Sequence, residues 1–200
     1  MSVILRGVGH SWVAGAPLFT DVDATFAAGR VCALVGPSGS GKSTLLSIVA
    51  GMQTPSSGVV ERTDEERVVW VFQNPYGVAG RTALDHVALP GVAAGASRPR
   101  AVREALELLA RFGLGRRAAA RFSELSGGEA QRLMLARAVA ARPGVMLVDE
   151  PTAQLDRATA REVNRTIGAL AAEGATVVVA THDEDTRAAC DDVLDLGEHR

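Results

Sequence analysis

The stretch Gly36-Pro37-Ser38-Gly39-Ser40-Gly41-Lys42-Ser43-Thr44 leaves this chain few folds to choose from. Directly before it runs Val31-Cys32-Ala33-Leu34-Val35, an apolar segment β-branched at both ends, which reads as a buried strand. Directly after it, Leu45, Leu46, Ile48 and Val49 mark the apolar side of a helix over 42–50, with Gly51 just past its end. Strand, glycine loop and helix in that order make a cradle for phosphate. Glycine lets the backbone wrap closely round an anion with N–H groups inward, and the helix N-terminus adds a partial positive charge. The spacing G-x-x-x-x-G-K-S is that of a P-loop. Lys42 is the only lysine among 21 lysine and arginine residues. Its compact ammonium suits a ring of phosphate oxygens better than a planar guanidinium does.

Two hundred residues, 47% of them hydrophobic, suit one domain with a substantial core. The net charge of −2 gives no global field that would draw the chain to nucleic acid or anionic lipid. Seven arginines between Arg98 and Arg121 alternate with apolar residues at helical spacing, as on a solvated helix face. Cys32 and Cys190 have no metal-ligand spacing and read as buried thiols in a reducing compartment. The opening Met1-Ser2-Val3-Ile4-Leu5-Arg6 carries a charge too early for the apolar segment of a secretion signal. No run reaches the roughly 18 apolar residues of a membrane span, so any pore must come from other chains.

Residues 3–12 and 19–26 alternate loosely around a turn at Gly15-Ala16-Pro17 and read as an antiparallel pair. Residues 67–73, with Val68-Val69-Trp70-Val71-Phe72, read as a second buried strand. A helical pattern then runs from Thr82 to about Ala141, broken near Pro90-Gly91, at 95–99 and at 113–115. Val145-Met146-Leu147-Val148 is a third apolar strand, 157–173 a helix, 176–180 a fourth strand and 193–196 a short last one. Strands alternating with helices predict an α/β fold with a mostly parallel sheet core. The expected organisation is a single domain over 1–200. Residues 1–76 and 142–200 form the core with an N-terminal antiparallel β-subdomain, and 77–141 an inserted helical subdomain.

Two further motifs carry chemistry. Asp149-Glu150 ends the third apolar strand, where carboxylates emerge beside the phosphates. Asp149 is placed to hold Mg²⁺ through water while the Ser43 hydroxyl ligates it directly, and Glu150 to polarise an attacking water. Leu125-Ser126-Gly127-Gly128-Glu129 opens a helix with a serine and two glycines, a second anion site of backbone N–H groups and one hydroxyl. The same pentapeptide also reads as an ordinary N-cap.

With these motifs in this order, the chain resembles the ATPase subunit of an ATP-binding cassette (ABC) transporter over almost its whole length, from Val3 to Leu196. The resemblance implies a P-loop NTPase fold of ABC type and binding of ATP with Mg²⁺. It implies that Gly36, Pro37, Ser38, Gly39, Ser40, Gly41, Lys42, Ser43 and Thr44 hold the phosphates, and that Trp12 stacks on adenine. Gln73 resembles the Q-loop glutamine, which touches Mg²⁺ and the attacking water. Ala153-Gln154-Leu155-Asp156 resembles the D-loop, with Asp156 near a dimer interface. His182 resembles the H-loop histidine at the γ-phosphate. The implied catalytic set is Glu150, His182, Lys42 and Gln73, and the implied metal set Ser43, Gln73 and Asp149. Ser126, Gly127 and Gly128 would cover the ATP of a second subunit, in a homodimer closed by ATP. Separate transmembrane permease subunits would be the partners, with the chain cytoplasmic and peripheral on the inner face of the cell membrane.

The stretch 58–73 is shorter than in many family members, and Glu61 to Glu66 reads as a charged turn. Residues 74–80 lack the apolar pattern expected of the loop that meets the membrane partner. The segment Thr82-Ala83-Leu84-Asp85-His86-Val87-Ala88-Leu89-Pro90 is similar to the lipoprotein-release and macrolide-export branch. The same motifs would serve an ATP-driven switch acting on a non-transporting membrane partner. A DNA-maintenance or translation ATPase would be expected to carry a coiled coil, a zinc insertion or a second cassette.

Overall fold

Three of the apolar runs become strands buried from end to end: β3 (Val31–Val35), β6 (Val145–Asp149) and β7 (Thr176–Ala180). Burial at every position requires cover on both faces, which a parallel sheet with flanking layers supplies. They form the centre of a five-stranded parallel sheet, between β5 (Val68–Val71) and β8 (Asp192–Asp195), in the order β5-β6-β7-β3-β8. The computed structural model describes residues 2–62, 67–153 and 155–199.

Alternation along these strands sorts the core into two. Met146, Val148, Val177 and Val179 join a cluster with residues of α2 (Ala83–Ala93), α3 (Arg98–Arg111), α4 (Gly127–Ala140) and α5 (Arg157–Ala172). Leu34, Val145, Leu147 and Val178 join the other, with α1 (Lys42–Val49) and the antiparallel sheet of β1 (Val3–His10), β2 (Phe19–Phe26) and β4 (Ser57–Glu61), ordered β2-β1-β4. Each buried leucine on either side contributes about 1.5–3 kcal/mol relative to exposure. No helix among the described residues is long and apolar enough to cross a membrane.

Several expectations need correction. The run at Val68–Val71 is an edge strand, paired only with β6, and Val68, Val69 and Trp70 are half-buried. Phe72 beyond it is exposed and stacks on Trp70 at 4.7 Å between ring centroids. The helix does not break at Pro90-Gly91: α2 continues to Ala93. Pro90 lacks an N–H, but its carbonyl still accepts the Ala94 N–H at 3.0 Å, and the helix ends within a turn anyway. The breaks at 95–99 and 113–115 occur, with Pro99 inside the first turn of α3, where proline is tolerated. The first strand stops at His10, the last spans Asp192–Asp195, and Cys190 is half-buried while Cys32 is buried. Burial pushes the two thiols up to about 11 and about 12, respectively, which keeps both unreactive. Among the described residues, strand β4, α6 (Glu184–Ala188) and a final 3₁₀ turn (Leu196–His199) were not expected. The charged turn expected at Glu61 to Glu66 begins inside β4, and residues 63–66 lie outside the described residues.

The segment 74–80 is fastened by a histidine. His86 of α2 is 2% exposed; its Nε2 accepts the Val78 N–H at 3.0 Å and its Nδ1 meets the Thr82 carbonyl at 2.8 Å. That pairing needs a neutral ring with the proton on Nδ1. Burial holds His86 below the ordinary histidine value, against the raising effect of the Thr82 carbonyl. The unfolded chain therefore takes up the proton more readily. The histidine's contribution to stability is complete above about pH 6.5 and is lost as pH falls through its folded-state value. The denaturant midpoint of the wild type is expected to drop more between pH 7.5 and 5.5 than that of His86→Gln; parallel slopes would contradict this.

β4 depends on Gly58, whose φ is +74°, and a Cβ there would run into the carbonyl oxygens of Arg6 and Gly7 on β1. Gly58→Ala is expected to cost about 2 kcal/mol or more, read from urea unfolding.

Candidate nucleotide-binding site

The parallel strands end on a common edge, and the chain beyond β3, β5, β6 and β7 sends residues into the space above it. From β3 the chain enters the glycine loop and then α1. Gly41 is the N-cap of α1 with φ +97°, and a Cβ there would lie 2.7 Å from Leu18 and 2.8 Å from Phe19. Only glycine meets both demands. From β6 come Asp149 and Glu150, from β7 His182, and two residues beyond β5 comes Gln73. An open cavity of about 690 Å³ is lined by these four together with Trp12, Gly36, Ser38, Gly39, Gly41, Lys42, Ser43 and Thr44. Pro37 and Ser40 complete the loop behind that lining, Ser40 fully buried.

Within the cavity the polar groups hold one another. Ser43 Oγ donates to Asp149 Oδ2 at 2.6 Å. Burial raises the Asp149 carboxyl above the usual carboxylate range, opposed by that hydroxyl and reinforced by the Glu150 charge. Lys42 Nζ donates to the Gly36 and Pro37 carbonyls at 2.8 and 3.2 Å. Glu150 Oε1 meets His182 Nδ1 at 2.8 Å, with the Glu150 side chain 9% and the His182 side chain 73% exposed. Glu150 also has φ +49°, a left-handed backbone unusual for a non-glycine. It is held there by its N–H on the Ala180 carbonyl at 2.9 Å and by the contacts of its carboxylate. Such local strain costs about 1–3 kcal/mol and gathers at functional sites.

Trp12 stands at the rim, 65% exposed, and meets the buried His10 ring edge to face at 4.6 Å. Its indole face is thus available to a flat ring beside the glycine loop. The chemistry of the set is plain: hard oxygen donors at Ser43, Asp149 and Gln73 suit a small divalent cation, and the glycine loop with Lys42 suits a chain of phosphates.

Three expected residues and a fourth lie outside this cavity. Ser126 is the N-cap of α4, accepting the Glu129 N–H on Oγ at 3.3 Å, with Gly127 and Gly128 in the first turn. The Glu129 carboxylate returns to the Ser126 N–H at 2.8 Å, completing a capping box. That box uses up the Ser126 N–H, and the Ser126 hydroxyl also lies against the Glu129 carboxylate. Asp156 caps α5, accepting from the Ala158 and Thr159 N–H groups at 3.0 and 3.1 Å and from the Thr159 hydroxyl at 2.6 Å. These bonds, the Thr159 hydroxyl first, hold its carboxyl below the usual range. Gln154 lies outside the described residues.

Residues 19–153 match the family described as ABC transporter. The lipoprotein-releasing system ATP-binding protein LolD 1 of Caulobacter vibrioides is 40% identical over 90% of this chain and 84% of its own length. The macrolide export ATP-binding/permease protein MacB of Rhodopseudomonas palustris is 36% identical over 98% of this chain, which spans 33% of that relative. Among solved structures, a dimeric ATP-binding cassette, MJ0796, in a post-hydrolysis state bound to ADP and Pi, superposes with a TM-score of 0.86. It is 30% identical, with 98% of this chain and 95% of that one covered. The chain belongs to the ABC transporter family.

Replacing Lys42 by Ala removes the one ammonium facing the phosphate space. The expected result is a roughly ten- to hundredfold loss of ATP affinity by calorimetry. Unchanged affinity would contradict the site.

Proposed function

We propose that this chain is an ATP-hydrolysing subunit that drives a membrane transporter by closing and opening as a dimer. One observation carries the reading. The phosphate loop, two carboxylates and a histidine converge on one cavity, while the Ser126-Gly127-Gly128 cap lies outside its lining. A site split in this way is completed by a second copy set head to tail, each cap meeting the triphosphate on the other's loop. Residues 1–76 and 142–200 then bind nucleotide, and 77–141 carry the cap.

In the closed dimer the loop from Gly36 to Thr44 wraps the phosphates and Lys42 leaves its two carbonyls for the β/γ-phosphates. Trp12 stacks on adenine. Ser43, Asp149 and Gln73 would hold Mg²⁺, which would supply positive charge to neutralise the phosphates. Glu150 orients the attacking water, and His182, now bonded to Glu150, contacts the γ-phosphate. Asp156 holds the start of α5 near the partner copy. Catalysis of this kind is positioning plus electrostatic stabilisation, and the prior strain at Glu150 serves it.

The partner reading rests on exposed apolar groups near Gln73. Phe72, Tyr76 and Val78 are 45%, 80% and 58% exposed, beside a groove of about 290 Å³ lined by Pro75, Pro90 and Met134. Apolar surface of this kind suits docking to membrane-spanning subunits. The chain would work from the cytoplasmic face of the membrane, in line with its likeness to ATP-binding proteins named for lipoprotein release and macrolide export.

Glu150→Gln tests the whole. It is expected to bind ATP with affinity close to the wild type and to lose hydrolysis by about a hundredfold or more. It should elute as a dimer on gel filtration with ATP. A protein that stays monomeric with ATP bound would overturn the dimer.

A further inference from the structure

The cap on α4 has an electrostatic problem. Its helix N-terminus attracts anions, yet the Glu129 carboxylate already occupies the first turn. An arriving triphosphate would meet that negative charge within the same turn. The fold answers chiefly with one guanidinium, Arg132 adding a weaker charge. Arg117, from a short 3₁₀ turn at Gly115–Arg117 after α3, brings Nε to 3.1 Å from Glu129 Oε1. Its Nη2 donates to the Glu124 carbonyl at 2.6 Å. One side chain thus hydrogen-bonds the backbone two residues before Ser126 and sets its charge beside the carboxylate three residues after it, its Nε–H making no hydrogen bond there. The ion pair is partly shielded, with side chains 39% and 23% exposed, so solvent screens it less than a surface pair. Glu129 is held below the usual carboxylate range, first by the Ser126 N–H, against the effect of burial, then by the Ser126 hydroxyl and by the charges of Arg117 and, more weakly, Arg132. It therefore stays charged at neutral pH and needs the compensation.

We propose that Arg117 is a positioning residue for the nucleotide site of the second copy: it fixes the Ser126 loop and cancels the Glu129 charge that would repel the other copy's triphosphate. This rests on the head-to-tail dimer proposed above. Arg117 itself touches no nucleotide.

The test uses the Glu150→Gln protein as parent and reads the ATP concentration for half-dimerisation by analytical ultracentrifugation. Arg117→Gln keeps a donor for the Glu124 carbonyl but loses the charge, and should raise that concentration about fivefold or more. Adding Glu129→Gln removes the unbalanced carboxylate while glutamine still completes the capping box, and should bring the value back to within about twofold of the parent. Melting temperature confirms that each variant is folded. A purely structural arginine would show no such rescue. If Arg117→Gln shifts nothing, or if Glu129→Gln fails to restore dimerisation, the proposal falls while the dimer stands. If the parent itself never dimerises with ATP, the dimer fails and Arg117 falls with it.

Discussion

The site depends on the burial of β3, β6 and β7 on both faces. Their side chains alternate between two apolar layers, so none of the three can slip by one residue without exchanging its faces. Register is what brings Gly36, Asp149 and His182 to one edge. Val148 lies opposite Val71 on one side and Val179 on the other, and Leu34 opposite Ala180. A phosphate loop can be written in nine residues, but the carboxylates that share its cavity arrive more than a hundred residues later. Only the packing of these strands makes them neighbours.

The cost of the arrangement is concentrated at one residue. Glu150 ends a strand in a left-handed conformation, buried, with its carboxylate on His182 and Thr181. Neighbouring strand ends determine this geometry, since the Glu150 N–H bonds the carbonyl of Ala180 on β7. The adjacent Asp149 faces the opposite way in the chemistry, onto Ser43 of α1. Two consecutive carboxylates are thereby given separate partners, which limits their mutual repulsion.

Much of this was legible in the residues. The β3–loop–α1 unit announced itself because apolar run, glycines and helix period adjoin in one stretch. Asp149 and Glu150 were legible as strand-end residues and Ser126 as a cap, whereas His182 stood out only through the family resemblance. What escaped has physical causes. β4 is exposed along most of its length and is defined by pairing with β1 and by the close approach at Gly58, neither of which leaves a local signal. The five-residue α6 is too short for a helical period, although Asp183, which caps it through the Thr186 N–H, is a signal that could have been read. Pro90 misled because a proline's damage depends on how much helix follows it. Residues 67–73 read as a buried strand because an apolar run on an edge strand with stacked aromatics resembles one in the interior. The Arg117–Glu129 contact spans two elements whose meeting only the folded chain reveals.

The glycine loop already satisfies the Lys42 ammonium with two of its own carbonyls. Entry of a ligand is therefore an exchange of partners rather than the filling of a void. Because this is the sole side-chain amine of the protein, a reagent that consumes primary amines reads out that exchange against no side chain but this one, the α-amino terminus being the other amine.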